Sequence, residues 1–199
     1  MIEIIDNLLP KYYLEDLQDS LLNPKQAVWQ LKTNLTDVEG VSDLGSYGLN
    51  LVLYQVLKDI GNVSVICNGY SGALSKALVC IVGEKIEELI NNTVVPLRCR
   101  ADLTFYNSDV YCHPIHTDME DWEHISAIFY VDNSDGNTLI YDYDGKTLLK
   151  EIEPVKNRLV IFDGLLPHTG HSPSKHNTRL LINMNFLTRD LYDRWSNFI

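Results

Sequence analysis

From residue 94 onward the chain breaks into short runs rich in β-branched and aromatic residues, each closed by turn formers. No other feature limits the possible folds as much. The runs are 94–106, 110–117, 125–131, 138–143, 147–152, 158–162 and 179–187. Between them stand Asn107-Ser108-Asp109, the Asp132 to Gly136 turn, Asp144-Gly145, Lys156-Asn157 and Asp163-Gly164. Closely spaced strands of this length build a sandwich or barrel. Upstream the period is helical. Ile2 to Ile5 reads as a short opening strand, and Pro10 then stands at a first helical turn, where its missing N–H costs nothing. Tyr13, Leu14, Leu17 and Leu21 make its stripe, and Asn23-Pro24 ends it. A second helix is expected over 47–60 on Leu49, Leu53, Val56, Leu57 and Ile60, stopped by Gly61. A third is expected over 71–91 on Leu74, Leu78, Ile81, Val82, Ile86, Leu89 and Ile90. The expected class is α+β: a β sandwich or barrel with helices packed on one side.

Composition narrows the function. The 199 residues suit one domain, and the 22% charged and 45% hydrophobic content is ordinary for a globular chain. A net charge of -11, with sparse and scattered Lys and Arg, argues against a polynucleotide partner. Cys67, Cys80, Cys99 and Cys112 form no CxxC pair; the first three lie in or beside apolar runs and read as small core residues. A reducing, cytoplasmic setting follows as the simplest expectation. The N-terminus lacks the basic and apolar regions of a signal peptide. Charges at Lys76, Glu84, Lys85, Glu87 and Glu88 exclude the most apolar stretch as a membrane span.

The last strand carries the first sign of a site. Leu180, Ile182, Met184 and Phe186 share one face, and Arg179, Leu181, Asn183 and Asn185 share the other. The apolar face should pack on the helices. The mixed face either looks into a polar cavity that takes an anion or is the solvent side of an edge strand. His116-Thr117-Asp118 is an HxD triplet whose outer residues share a face on extended backbone. Alone it is common. Downstream, however, Pro167-His168-Thr169-Gly170 follows another strand. One later His added to HxD makes a two-His, one-carboxylate set that leaves a face of an octahedral Fe(II) open.

The ordered set Phe105-Tyr106, His116-Thr117-Asp118, Ile128-Phe129-Tyr130-Val131, Ile152-Glu153-Pro154, Arg158 to Phe162, Pro167-His168 and Arg179 resembles the Fe(II)/2-oxoglutarate dioxygenases, in their prolyl-4-hydroxylase-like branch. The opening Ile4 to Pro10 is similar to the start of small phage and bacterial relatives. The resemblance implies a double-stranded β-helix of the jelly-roll or cupin kind. It divides one 1–199 domain into mainly helical support over 1–93, the catalytic barrel over 94–187 and a C-terminal helix over 188–199. It also implies that His116, Asp118 and His168 hold Fe(II) and that Arg179 pairs with the far carboxylate of 2-oxoglutarate, a role suited to a planar guanidinium. Tyr130 would assist Arg179, and Tyr106 would stand near the cosubstrate and the substrate mouth. O2 is the second cosubstrate, with ascorbate as a candidate reductant. The activity implied is hydroxylation of a C–H bond in a peptidyl or free amino-acid residue such as proline, with no membrane partner. Asp118 favours hydroxylation, because halogenating relatives lack that carboxylate. Where many relatives have a Gly-Gly-x-Thr/Leu element, this chain has Asp135-Gly136-Asn137-Thr138.

Other residues compete for these roles. His171 rivals His168. His113 falls on the strand face opposite His116 and reads as structural or surface; His124 and His176 read as loop residues. Trp122 is either a lid or a loop anchor. Substrate-selecting loops are expected at 41–48, 107–110 and 119–124. Two other functions stand beside the hydroxylase: a nucleic-acid-base demethylase of the same superfamily, and a cupin-like metal-binding module without turnover.

Overall fold

The computed structural model describes residues 1–32, 48–59, 62–67, 69–119 and 122–197. In chain order the elements are β1 (Ile2–Asp6), α1 (Lys11–Leu22), β2 (Gln30–Lys32), β3 (Gly48–Asp59), β4 (Asn62–Cys67), α2 (Gly69–Ile90), β5 (Val94–Phe105), β6 (Ile125–Tyr130), β7 (Thr138–Tyr141), β8 (Leu148–Ile152), β9 (Arg158–Asp163), β10 (His168–Gly170), β11 (Thr178–Thr188) and α3 (Arg189–Asn197). An eight-stranded sheet runs β1-β9-β6-β11-β5-β3-β2, with β4 paired to β3. A three-stranded sheet runs β10-β7-β8. Every pairing is antiparallel. The fold is the expected double-stranded β-helix.

Strand alternation divides the large sheet into two chemically distinct faces. Leu180, Ile182, Met184 and Phe186 of β11 join Cys99 and Ala101 of β5 and Phe129 of β6 in the main core. That core is closed by Leu14, Leu17 and Leu21 of α1 and Leu78, Val82 and Ile86 of α2. On the opposite face, Ile128, Tyr130, Val160, Phe162 and Leu181 meet Ile140 of β7 and Ile152 of β8, which ties the two sheets together. The turn between the edge strand β1 and helix α1 is tied down by Asn157. Its amide accepts from the Leu9 N–H at 2.8 Å and donates to the Leu9 carbonyl at 2.9 Å.

Three expectations fail. The helix expected over 47–60 is strand β3 over 48–59, with 47 and 60 outside the described residues, and β2 and β4 add strands to a half expected to be mainly helical, beside the expected opening strand β1. β3 pairs with β5 from Gly48↔Thr104 to Gln55↔Arg98, with a bulge between Val52 and Tyr54. A bulge inserts one residue and breaks the period of two, so the apolar positions no longer read as a strand. The strand expected over 110–117 is absent. Only single bridges at Cys112↔His171 and His116↔His168 remain. Pro114 has no N–H to donate, and Val110 lies at φ 47, a left-handed value that a β-branched residue rarely adopts. Third, Cys67 and Cys80 are exposed, and Cys99 alone of the expected core cysteines is buried.

Candidate active site

Two histidines are brought together by the backbone itself. The His116 N–H donates to the His168 carbonyl at 3.0 Å, and the His168 N–H donates back to the His116 carbonyl at 2.8 Å. Such a reciprocal pair sets the two residues directly opposite, and their rings lie 4.7 Å apart. The Nδ1 of His116 faces the Pro114 carbonyl at 3.1 Å, and the Nδ1 of His168 faces the Leu166 carbonyl at 3.1 Å. A carbonyl only accepts, so each Nδ1 carries the proton and each Nε2 keeps its lone pair for a metal. His168 Nε2 is buried with no hydrogen-bond partner. Burial pushes the His168 pKa down to about 4 against the pull of Asp118, so the ring is neutral at neutral pH.

Asp118 is the third member of the cluster that could hold a metal ion. One potential ligand atom from each of His116, Asp118 and His168 lies within 4.8 Å of the others. The carboxylate is held from several directions. Arg98 Nη2 donates to Oδ1 at 2.9 Å, Ser126 Oγ to Oδ2 at 2.9 Å, and Asn185 Nδ2 to Oδ2 at 3.0 Å. Asn183 Nδ2 spans both oxygens at 3.1 and 3.3 Å. Burial alone would raise its pKa; electrostatic attraction to His168, Arg98, His116 and Arg100, of which the two arginines are permanent charges, outweighs that and holds it well below the usual carboxylate range. Two imidazoles whose Nδ1 atoms face carbonyls, one ionised carboxylate and the orphaned Nε2 of His168 fit a divalent iron.

Arg179 lies on the same face of β11, four residues before Asn183. It is 7% exposed and, among the described residues, forms no ion pair. Its Nη2 donates to Thr138 Oγ1 at 2.7 Å, and its Nε has no partner. The Tyr130 hydroxyl donates to the same Thr138 oxygen at 2.6 Å. Burial lowers the Arg179 pKa and raises that of Tyr130. Two glycines admit the guanidinium. A Cβ on Gly170 would stand 3.0 Å from Nη2, and one on Gly136 would stand 2.7 Å from Arg179 Cδ. A buried cation with no direct ion pair, acted on only by the charge of Asp102 across the cavity, is costly, so this end of the cavity suits an anionic ligand. His116, His168, Arg179, Asn183, Asp102 and Arg100 all line one cavity of about 70 Å³.

The remaining expectations sort clearly. Tyr130 reaches Arg179 through Thr138, a residue read in the sequence as the end of a variant turn and the start of a strand run, with no site role. Tyr106 is more than half exposed and does not line the cavity; β5 ends one residue earlier. Its parity is right, since Arg100, Asp102 and Thr104 of the same row all face inward. His171 is excluded as a ligand: its Nε2 accepts from the Asn137 N–H at 3.1 Å and its Nδ1 faces the Ser172 carbonyl at 3.2 Å. His113 corrects the sequence reading. It is buried and lines the cavity beside His116, and burial followed by the Arg179 charge pushes its pKa down to about 4. His124 is also buried, with its ring so close to Gly164 that no Cβ would fit there. His176 is an exposed loop residue bound to Asp135 at 2.9 Å. The Trp122 carbonyl accepts from His124 Nδ1 at 2.8 Å, and Trp122 does not line the cavity. Of the expected substrate loops, 41–47, 120 and 121 fall outside the described residues.

The double-stranded β-helix brings His116, Asp118 and His168 together beside a cavity lined by the buried Arg179, an arrangement suited to a single metal ion and an anionic ligand. Residues 101–187 match the family model of the 2OG-Fe(II) oxygenase superfamily. That match and the His116, Asp118 and His168 cluster support an oxidoreductase of the 2OG-Fe(II) oxygenase kind, which uses Fe(II), 2-oxoglutarate and O2. No curated protein matches it in sequence. Among solved structures, it is similar in fold to a 2OG-Fe(II) oxygenase family oxidoreductase from Burkholderia pseudomallei, with TM-score 0.69, 9% identity and 93% and 84% of the two chains covered. It is also similar to a prolyl hydroxylase from Trichoplax adhaerens in complex with a hypoxia inducible factor peptide fragment, with TM-score 0.66, 15% identity and 96% and 86% covered. A prolyl-4-hydroxylase from Pseudomonas putida gives TM-score 0.58, 16% identity and 94% and 92% covered. No helix among the described residues is long and apolar enough to cross a membrane.

Proposed function

We propose that the protein hydroxylates a C–H bond of a peptidyl or free amino-acid residue, with proline as the first candidate. The observation that supports this reading is the His116, Asp118 and His168 cluster beside a cavity that also holds a buried arginine with no ion-pair partner among the described residues. A metal-binding module without turnover needs the first and has no use for the second. Fe(II) with 2-oxoglutarate and O2 supplies the oxidation of an unactivated C–H bond. The chain does the positioning. His116, Asp118 and His168 would hold the iron and leave one side open to the cavity. The guanidinium of Arg179 would take the far carboxylate of 2-oxoglutarate, for which its planar fork is suited. Thr138 accepts from both Tyr130 and Arg179, so its own hydroxyl proton is left to donate to that carboxylate. Four free cysteines accord with a reducing cytoplasmic location.

The test is an anaerobic titration of Fe(II)-loaded protein with 2-oxoglutarate, followed by the weak visible charge-transfer absorption of the chelate. Wild type should develop the band, and His168→Ala should not. Arg179→Ala should weaken 2-oxoglutarate binding at least about 10-fold, the value of one charge-assisted hydrogen bond or more. A folded, iron-loaded wild type that gives no band, or an Arg179 variant that binds 2-oxoglutarate normally, would overturn the proposal.

A further inference from the structure

The inner row of β5 is charged to a degree that metal and cosubstrate binding do not require. Alternate residues share a face, so Arg98, Arg100, Asp102 and Thr104 point the same way. Arg98 is bonded to Asp118, and Thr104 stands opposite Arg179 in the β5–β11 register. Between them, Arg100 and Asp102 pair with each other, Nε lying 2.9 Å from Oδ1 and 3.1 Å from Oδ2. Their side chains are 19% and 14% exposed, and both line the cavity. Asp102 lies opposite Leu181 and Arg100 opposite Asn183. The pair therefore occupies the wall between the level of Arg179 and the level of the iron ligands. A largely buried ion pair adds little to stability over well-packed apolar residues, and Ile128 and Leu181 show that the interior accepts apolar residues.

We propose that Arg100 and Asp102 select the substrate, and that the substrate is a free α-amino acid bound as its zwitterion. The α-carboxylate faces Arg100 and the α-ammonium faces Asp102. This inference rests on the hydroxylase reading above and narrows it. A zwitterion carries both charges on one carbon, so it can lie antiparallel to a contact ion pair and match both of its charges. A peptide would offer the pair only neutral amides in exchange for water. A second observation points the same way. The Nδ2 of Asn183 is committed to Asp118, which fixes the orientation of the amide, and its Oδ1 is buried with no hydrogen-bond partner in the same cavity. That oxygen is an acceptor suited to an ammonium.

The test is calorimetric binding of the proteinogenic L-amino acids, at up to millimolar concentration, to protein loaded with Zn(II) and 2-oxoglutarate. Each binder is then compared with its N-acetyl and its C-methylamide derivatives. At least one free amino acid should bind, and each blocked form should bind at least about 10-fold more weakly, as expected when a charged hydrogen bond is lost. Asp102→Asn should erase the preference for the free amine, and Arg100→Gln the preference for the free carboxylate. A purely structural role would weaken all ligands alike and leave these ratios intact. Binding of blocked forms as tightly as free ones, binding of no amino acid by folded loaded protein, or unchanged ratios in the variants would each overturn the inference. Succinate release by Fe(II)-loaded protein is scored separately with amino acids and with peptides. Its absence throughout sinks the hydroxylase reading, whereas release driven by peptides alone sinks only the amino-acid inference.

Discussion

Replacing Thr138 with valine should damage the fold far more than the loss of one hydroxyl suggests. Valine matches threonine in shape, so Thr138→Val leaves no cavity. The hydroxyl oxygen, however, accepts two bonds, from Tyr130 at 2.6 Å and from Arg179 at 2.7 Å. Tyr130 is fully buried and Arg179 nearly so. Each donor left unsatisfied costs about 1–3 kcal/mol, and more where it is charged, so the variant should lose about 4 kcal/mol. Tyr130→Phe should cost less, about 1–2 kcal/mol, because it removes a donor and leaves the Arg179–Thr138 bond in place. The decisive quantity is the double variant. In Thr138→Val/Tyr130→Phe only Arg179 lacks its Thr138 partner, so the protein should be more stable than Thr138→Val alone by about 1–2 kcal/mol. Urea denaturation followed by tryptophan fluorescence measures all four corners of the cycle. A double variant no more stable than Thr138→Val, or a Thr138→Val protein within about 1 kcal/mol of wild type, would refute the shared-acceptor reasoning.

Two further outcomes follow from the same cavity. His113 has a folded pKa of about 4 against the ordinary 6.5, so the unfolded chain binds the proton more tightly. Its contribution to stability is therefore complete above 6.5 and falls away as the pH drops toward 4, by up to about 3 kcal/mol; His113→Asn should flatten that limb in urea melts taken across the range. In Gly136→Ala the new methyl would stand 2.5 Å from the His171 carbonyl oxygen and 2.7 Å from Arg179 Cδ. The variant should lose about 1–3 kcal/mol and bind 2-oxoglutarate more weakly in calorimetry of the Zn(II)-loaded protein.

The sequence carried the site better than it carried the framework. The meeting of His116, Asp118 and His168 was legible from the order of their motifs along the chain, since the HxD triplet alone is common. The two faces of β11 were legible because alternation over 179–187 is regular, and the structure keeps it. β3 was not, because its bulge at Val52–Tyr54 disturbs the period that the reading depends on. The segment before His116 was misread for a related reason. Its residues suit a strand, but Val110 and Pro114 leave single bridges in place of a ladder. That error also misplaced His113: the opposite-face argument holds only on a continuous strand. Thr138 could have been found from the sequence. The variant turn that ends in it was visible, and a threonine at the start of an inward-facing strand is a hydroxyl aimed at whatever the barrel holds.

The architecture also accounts for the order of the site along its wall. β11 and β5 pair over their full lengths, with one bulge between Asn185 and Phe186, where Pro96 interrupts the ladder of β5. Because that bulge lies beyond Asn185, the inner rows from Thr104 to Arg98 and from Arg179 to Asn185 stay in phase. Arg179 and Thr104 make one level, Leu181 and Asp102 the next, then Asn183 and Arg100, then Asn185 and Arg98. Arg179 thus stands at one end, Asp118 is clamped by Asn183, Asn185 and Arg98 at the other, and the Arg100–Asp102 pair lies between. A one-residue slip in this register would turn every one of these side chains into the helix-packed core. The apolar row Leu180, Ile182, Met184 and Phe186, buried against α1 and α2, opposes such a slip. The hydrophobic face of β11 thereby fixes the chemistry of its polar face.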